Sequence, residues 1–306
     1  MNLREWALPV YTILMQLAVG ALLVLWVIRS SARSRFEASE MDRMIRNPIL
    51  VIVVTTVMGM GGAHFHLSKP FYSFLAVLNI GSSWLSREIF FTVLFLLSTA
   101  GLWYVSRNKN HHQKLITNLG WVAILFGLIV VYCMARIYIL PAQEAWNSLS
   151  MIASFYTTTL LIGGMTIACL MVLDFKFAEI QKPEDVELHA RLIRFSFKGL
   201  SYLTLGSVIL DFAITFFQIN FLGRGDATAR SSLSLLVGVY LPLLILRSAF
   251  LVYASLSLSY FVNRMYRGAD APQSVMMPVY MSGLLIFVGE IIGRFLFYAI
   301  HVRIGI

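Results

Sequence analysis

Charge is what this sequence has least of. Asp, Glu, Lys and Arg make up only 13% of its 306 residues, against 58% hydrophobic ones, and the mean hydropathy is +0.77. Soluble domains carry about 25% charged residues, so a water-covered globule of this length is excluded. Long polar segments are lacking too. No connection between apolar runs approaches the roughly 50 residues that a separate soluble domain needs. Cysteine is scarce: Cys133 and Cys169 both sit inside apolar runs, which removes any disulfide framework or CxxC metal motif. No small-residue cleavage site of the A-x-A kind follows the first apolar run, and only Arg4 precedes it, so we expect that run to be a retained span. Paired histidines at matched depth are missing from the apolar runs as well, which argues against the bis-histidine haem of a b-type cytochrome.

What is present is a series of apolar runs of membrane-spanning length. A span needs about 20 mainly apolar residues, because only a helix satisfies its own backbone where no water is available. Eight such runs are expected at 8–28, 48–67, 89–105, 119–140, 151–173, 195–217, 233–262 and 278–300. The fold class predicted is an all-α integral membrane protein, a single membrane-embedded domain over 1–306 with eight transmembrane helices in two four-helix bundles. Most of the 24 basic residues, among them Arg29, Arg33, Arg43, Lys114, Lys182 and Arg194, fall in connections after spans one, three, five and seven. The positive-inside rule then places both termini outside. The same bias accounts for the formal charge of +9 as attraction to anionic headgroups, so no nucleic-acid partner is called for.

With that orientation the ionisable residues sort toward the outer leaflet. The segment from Gly59 to Phe90 brings His64, His66, Ser68, Lys69, Arg87 and Glu88 to the lip of spans two and three, and Trp84 lies beside them. Arg136 lies near the outer end of span four and Asp211 in the outer part of span six, while Arg247 sits near mid-depth. Glu290 and Arg294 are four apart on span eight, a spacing that predicts an ion pair on one helix face, and His301 ends that helix. Ionisable groups in a span usually serve a ligand, an ion or a proton path. A pocket of imidazole and carboxylate suits a lipid-soluble quinol, whose oxidation releases two protons near a base. Plainer roles stand beside this. Trp84 also fits an interfacial aromatic belt, Arg136 a snorkelling residue, His64 a solvated position, and Glu290 with Arg294 a structural tie. A secondary transporter would show broken helices near mid-membrane, and Gly163–Gly164 is the interruption that the sequence offers.

Several short motifs carry a family resemblance. These are Glu5-Trp6 with Thr12 and Gln16, then His66-Leu67-Ser68-Lys69-Pro70, Leu85-Ser86-Arg87-Glu88-Ile89, and Met134-Ala135-Arg136-Ile137-Tyr138. Gly289-Glu290-Ile291-Ile292-Gly293-Arg294 follows, with Phe297-Tyr298 and His301. In these the protein resembles the membrane anchor subunits of bacterial dimethyl sulfoxide reductase, the DmsC family, within the wider group of quinol-interacting anchors that includes NrfD and the polysulfide reductase anchor. The family's motifs read HLGSP, LSNEI, MVRVY and GELIGRGVFYGLH at these places. Lys69 stands where the family has serine, and the charged connection from Lys176 to Arg194 is longer.

The resemblance implies a multi-pass protein of the bacterial cytoplasmic membrane that itself carries no haem or metal. It implies menaquinol as the bound substrate, and as partners an iron–sulfur subunit and a molybdopterin catalytic subunit that performs the terminal reduction in anaerobic respiration. The family's quinol-site histidine and glutamate fall on His66 and Glu88. The candidate site is therefore His64, His66, Ser68, Trp84, Glu88 and Arg136, with Glu290, Arg294 and His301 in support.

Overall fold

A computed structural model of the protein describes residues 3–66, 78–107, 113–141, 143–268 and 271–302, with side chains beginning at Leu8 and excluding residues 63–66. Its helices are α1 (Leu3–Ala32), α2 (Ala38–His66), α3 (Trp84–Arg107), α4 (Gln113–Tyr138), α5 (Leu149–Gln181), α6 (Val186–Arg224), α7 (Ala227–Ser234), α8 (Leu241–Tyr266) and α9 (Met276–Ala299). No strand occurs among the described residues. Among the described residues eight helices, all but α7, are long and apolar enough to cross a bilayer. An even number of crossings returns the polypeptide to its starting side, so both of its ends lie at one end of the molecule, here the terminal end. The opposite end is the connecting end.

Helix α1 packs against α2 and α4, and α3 against α2 and α4, while α5, α6, α8 and α9 pack in their own cyclic order. The seam between these two groups is made mainly by α1 against α5. Of the apolar window of α1, 78% is buried, against 28% for α3 and for α8, so α1 is an interior wall and the other two face lipid. The seam is tight because glycine meets glycine. A Cβ on Gly20 would stand 1.9 Å from the Thr159 carbonyl oxygen, and one on Gly163 2.2 Å from the Gly20 carbonyl carbon. With no hydrophobic drive between helices in lipid, such backbone contact supplies the dispersion that holds them together. Gly163–Gly164 is thus a contact surface: α5 runs through it unbroken, and the interruption expected there is absent.

The interruption occurs instead in the seventh span. The sequence reads 233–262 as one run, but α7 ends at Ser234, a π turn follows over Leu235–Val239, and α8 restarts at Leu241. Pro242 explains the break, since proline has no N–H to continue the ladder and restricts the residue before it. Asp226 opens α7, accepting from the Ala229 N–H at 2.8 Å and the Thr228 hydroxyl at 2.6 Å. These bonds to the charged form hold the exposed Asp226 carboxyl below its ordinary range.

At the connecting end, the charged stretch from Lys176 to Arg194 is a helical hairpin with a tight turn at Pro183–Asp185. The 39 residues of α6 span roughly 58 Å at 1.5 Å per residue, well beyond a hydrocarbon core of about 30 Å. This projection is tied to α2: Arg43 donates to Asp185 at 2.5 Å, Asn47 to Asp174 at 2.8 Å, and Arg191 pairs with Glu40. Arg29, in the last turn of α1, belongs to this basic end but faces inward. It is buried at 2% exposure, donating to Gln113 at 2.7 Å and Thr117 at 3.2 Å, with Asp42 at 3.7 Å.

Because the α1–α5 contact is backbone on backbone, a side chain there has nowhere to go. Gly163→Leu is expected to remove most of the folded protein from the membrane fraction, since it exceeds the roughly 1–3 kcal/mol of ordinary overpacking. Gly199→Leu on α6, where nothing lies within 4 Å of a Cβ, should accumulate normally. Equal yields of the two variants would contradict this account of the seam.

Candidate functional site

Glu88 occupies the second turn of α3, whose buried face runs through Glu88, Thr92, Phe95 and Thr99. That spacing is one helical stripe, and it turns the carboxyl inward, leaving it 4% exposed. Tyr11 of α1 meets it there, its hydroxyl 3.4 Å from Thr92 Oγ1 and in contact with the Glu88 carboxyl. Among the described residues no cation lies within ion-pair distance of Glu88. Adjacency in sequence suggests a half-buried Glu88 beside Arg87, whereas the structure buries Glu88 and turns Arg87 elsewhere. Adjacent helix positions point about 100° apart, and Arg87 donates to the Ile80 and Gly81 carbonyls at 2.8 and 2.7 Å.

Trp84 lies between cations. The Arg87 guanidinium is 4.3 Å and the Arg136 guanidinium 5.1 Å from its ring centroid, and Tyr132 meets it edge-on at 5.7 Å. Arg136 is thereby held against the bundle by cation–π contact, with its Nε buried and unpartnered. His66 is the last residue of α2, at the same end as Glu88. The side chains of His64 and His66, and the whole of Ser68, Lys69, Phe71 and Tyr72, lie outside the described residues.

Glu290 and Arg294 do not form the ion pair that their spacing predicts. Glu290 turns to α8, where Arg247 Nη2 donates to it at 3.0 Å while also reaching Asp211 of α6 at 2.7 Å; Nη1 adds a second bond to Asp211 at 2.8 Å. Thr158 of α5 donates to the other Glu290 oxygen at 2.6 Å. One guanidinium thus satisfies two buried carboxylates and joins α6, α8 and α9, and α5 is added through Thr158. Gly293 makes the room, because a Cβ there would stand 2.5 Å from Arg247 Nε. Arg294 points the other way, donating to Gln16 of α1 at 2.5 Å and lying 4.3 Å from the Phe155 ring. Gln16 in turn donates to the Phe155 carbonyl at 2.7 Å.

Sequence alone marks Asp211 and Arg247 as buried ionisable groups without joining them. The signal for joining them exists: each is a lone charge on an apolar helix, and such charges in a span pair with one another. Trp146 escapes sequence reasoning entirely. It lies on a short turn between α4 and α5, with its indole flat against Phe297 and His301, both at 4.8 Å, and it donates to the Phe297 carbonyl at 3.0 Å. Beside it the Tyr138 and Tyr298 hydroxyls meet at 2.5 Å across α4 and α9. A cavity of about 130 Å³ opens between α5, α6, α8 and α9, lined by Arg294, the Asp211–Arg247–Glu290 triad and Trp146.

Removing the shared cation of this triad exposes the cost of burial. Arg247→Leu leaves two buried carboxylates without a cation and should destabilise the protein by about 3–5 kcal/mol. Replacing the acids at the same time, as Asp211→Asn with Glu290→Gln, should recover most of that loss. Thermal unfolding of the detergent-solubilised protein reads both, and a triple variant no better than Arg247→Leu alone would contradict the pairing.

Comparison with known proteins agrees with this architecture. The family model described as "DMSO reductase anchor subunit (DmsC)" matches residues 1–300. Over 308 residues the protein is 25% identical to the C polypeptide of the anaerobic dimethyl sulfoxide reductase of Haemophilus influenzae, an alignment that covers 99% of this sequence and 97% of the other. Over 311 residues it is 25% identical to the YnfH polypeptide of an anaerobic dimethyl sulfoxide reductase of Escherichia coli, with 99% and 96% covered. With eight apolar helices and a match over nearly its whole length, the protein belongs to the family of dimethyl sulfoxide reductase anchor subunits, multi-pass membrane proteins that hold such a reductase at the bilayer.

Proposed function

We propose that this anchor oxidises menaquinol at a site built around His66 and Glu88, near the outer face, and passes the electrons to an iron–sulfur subunit that feeds a molybdopterin catalytic subunit. The observation that carries this reading is the state of Glu88. It is the buried carboxylate in the terminal half of the described spans that has no arginine or lysine tied to it, whereas Asp211 and Glu290 are both held by Arg247. A proton placed on Asp211 or Glu290 would break a buried pair, at about 3–5 kcal/mol. Glu88 takes and gives up a proton with no such loss.

In this reading each quinol yields two electrons and two protons. A ring hydroxyl donates to the Glu88 carboxylate, which the Tyr11 hydroxyl neighbours. The His66 imidazole, at the end of α2, is assigned the other hydroxyl. Trp84, fixed between Arg87 and Arg136, bounds the site at the N-terminus of α3. The positive-inside distribution of basic residues supports a periplasmic exit for the protons.

Glu88→Gln should abolish or strongly slow quinol-dependent reduction while dye-driven activity of the assembled catalytic subunit persists. Its deficit relative to the wild type should widen as pH rises, because higher pH supplies the wild type with the carboxylate that the variant lacks. A deficit constant across pH would contradict the proton-acceptor role. Replacing His66 with alanine should give the same split between quinol-driven and dye-driven assays, and retained quinol oxidation in that variant would reject its part in the site.

A further inference from the structure

The oxidation site proposed above lies in the α1–α4 half and makes no use of the cavity in the other half. The walls of that cavity are electrically balanced, with Asp211 and Glu290 against Arg247 and Arg294, so they favour neither an anion nor a cation. They are nonetheless rich in unused donors. Ser154 on α5 and Thr215 on α6 both line the cavity, and neither hydroxyl has a partner among the described residues. Helical hydroxyls normally bond back along their own helix, as Thr157 does to the Ala153 carbonyl at 2.9 Å and Thr159 to the Phe155 carbonyl at 2.8 Å. Arg294 spends Nη2 on Gln16, and its other two nitrogens have no acceptor among the described residues.

Three helices thus bring free donors to one space whose other walls combine the satisfied Asp211–Arg247–Glu290 triad with apolar side chains, Phe155, Phe297 and Ile214 among them. A few placed polar groups in an otherwise apolar pocket are the usual make-up of a site for a small organic ligand. The broken seventh span contributes part of the wall. Leu236 from the π turn and Leu244 from the first turn of α8 line the cavity, and together with Leu296 and Ile300 they form a small apolar cluster separate from the main core. π turns inside helices frequently mark functional sites.

We propose that this cavity is a second site for a lipid-soluble quinone ring, one that holds the carrier without oxidising it. The ligand chemistry follows from the walls: a neutral ring whose carbonyl oxygens accept from Ser154, Thr215 and Arg294 while its faces lie on apolar side chains. The site does not oxidise a quinol because it offers no free base, both of its carboxylates being held by Arg247 and Glu290 also by Thr158. It shares the Arg294–Phe155–Gln16 wall with α1, so it places a waiting carrier beside the oxidising half. The proposal rests on quinol being the substrate of this anchor.

The test is equilibrium binding of radiolabelled menadione, a 1,4-naphthoquinone, to the purified complex in quinone-free lipid nanodiscs. The wild type is expected to bind two molecules per complex saturably, and Ser154→Phe, which fills the cavity, only one. Should that variant fail to assemble, Thr215→Val, which removes one donor without adding bulk, should weaken one of the two sites roughly fivefold. Two sites unchanged in the variant that assembles, or a single wild-type site that survives it, would overturn the proposal. A single wild-type site that Ser154→Phe abolishes would uphold the cavity and instead refute the placement of quinol at Glu88.

Discussion

A guanidinium inside a membrane span must find enough negative charge within a few ångströms, and the carboxylates it finds must need nothing else. Arg247 meets both conditions at once by bonding Asp211 through two nitrogens and Glu290 through one. The rest of the structure follows from that economy. Three spans are fastened at one point, a fourth joins through Thr158, and Arg294 is released from Glu290 to cross the seam and bind Gln16. The glycines of the Gly289–Arg294 motif then have a physical reason. At Gly293 a side chain would occupy the space of the Arg247 guanidinium.

This leaves the two halves of the molecule chemically different. In the half made by α5, α6, α8 and α9, the buried acids are locked, which suits holding the fold and a neutral guest. In the half made by α1–α4, Glu88 is buried beside Tyr11 and Thr92 with no described cation, as the proposed proton acceptor requires. Between them stands a wall of aromatic and amide groups in which Phe155, Gln16 and the Tyr138–Tyr298 contact take part. The glycine seam of α1 and α5 brings the halves close enough for Arg294 to bridge them.

Much of this is legible in the sequence. Apolar length gives the eight spans because the bilayer leaves the backbone no alternative, and the short motifs lead to Glu88, Arg136, Glu290 and Arg294. Pairing is harder to read. Residues four apart on one helix suggest Glu290 with Arg294, but a buried charge answers to the nearest partner in three dimensions, and Arg247 lies 43 positions away in sequence from Glu290. Arg29 looks like a topology signal because its residue type says nothing of the Asp42, Gln113 and Thr117 that enclose it. The Gly163–Gly164 step looks like a helix break, since glycine marks both breaks and close contacts, and only the facing Gly20 separates the two. Trp146 carries no periodic signal, being on a three-residue turn.

The central claim is that quinol oxidation puts a proton on the acid that is free of arginine and not on the two that are bound. The redox-induced infrared difference spectrum of the assembled complex tests it directly, through the carbonyl stretch of a protonated carboxylic acid. The account predicts a band that develops on quinol oxidation, is missing from Glu88→Gln and is retained in Glu290→Gln. A band that survives in Glu88→Gln, or that vanishes in Glu290→Gln, would contradict it.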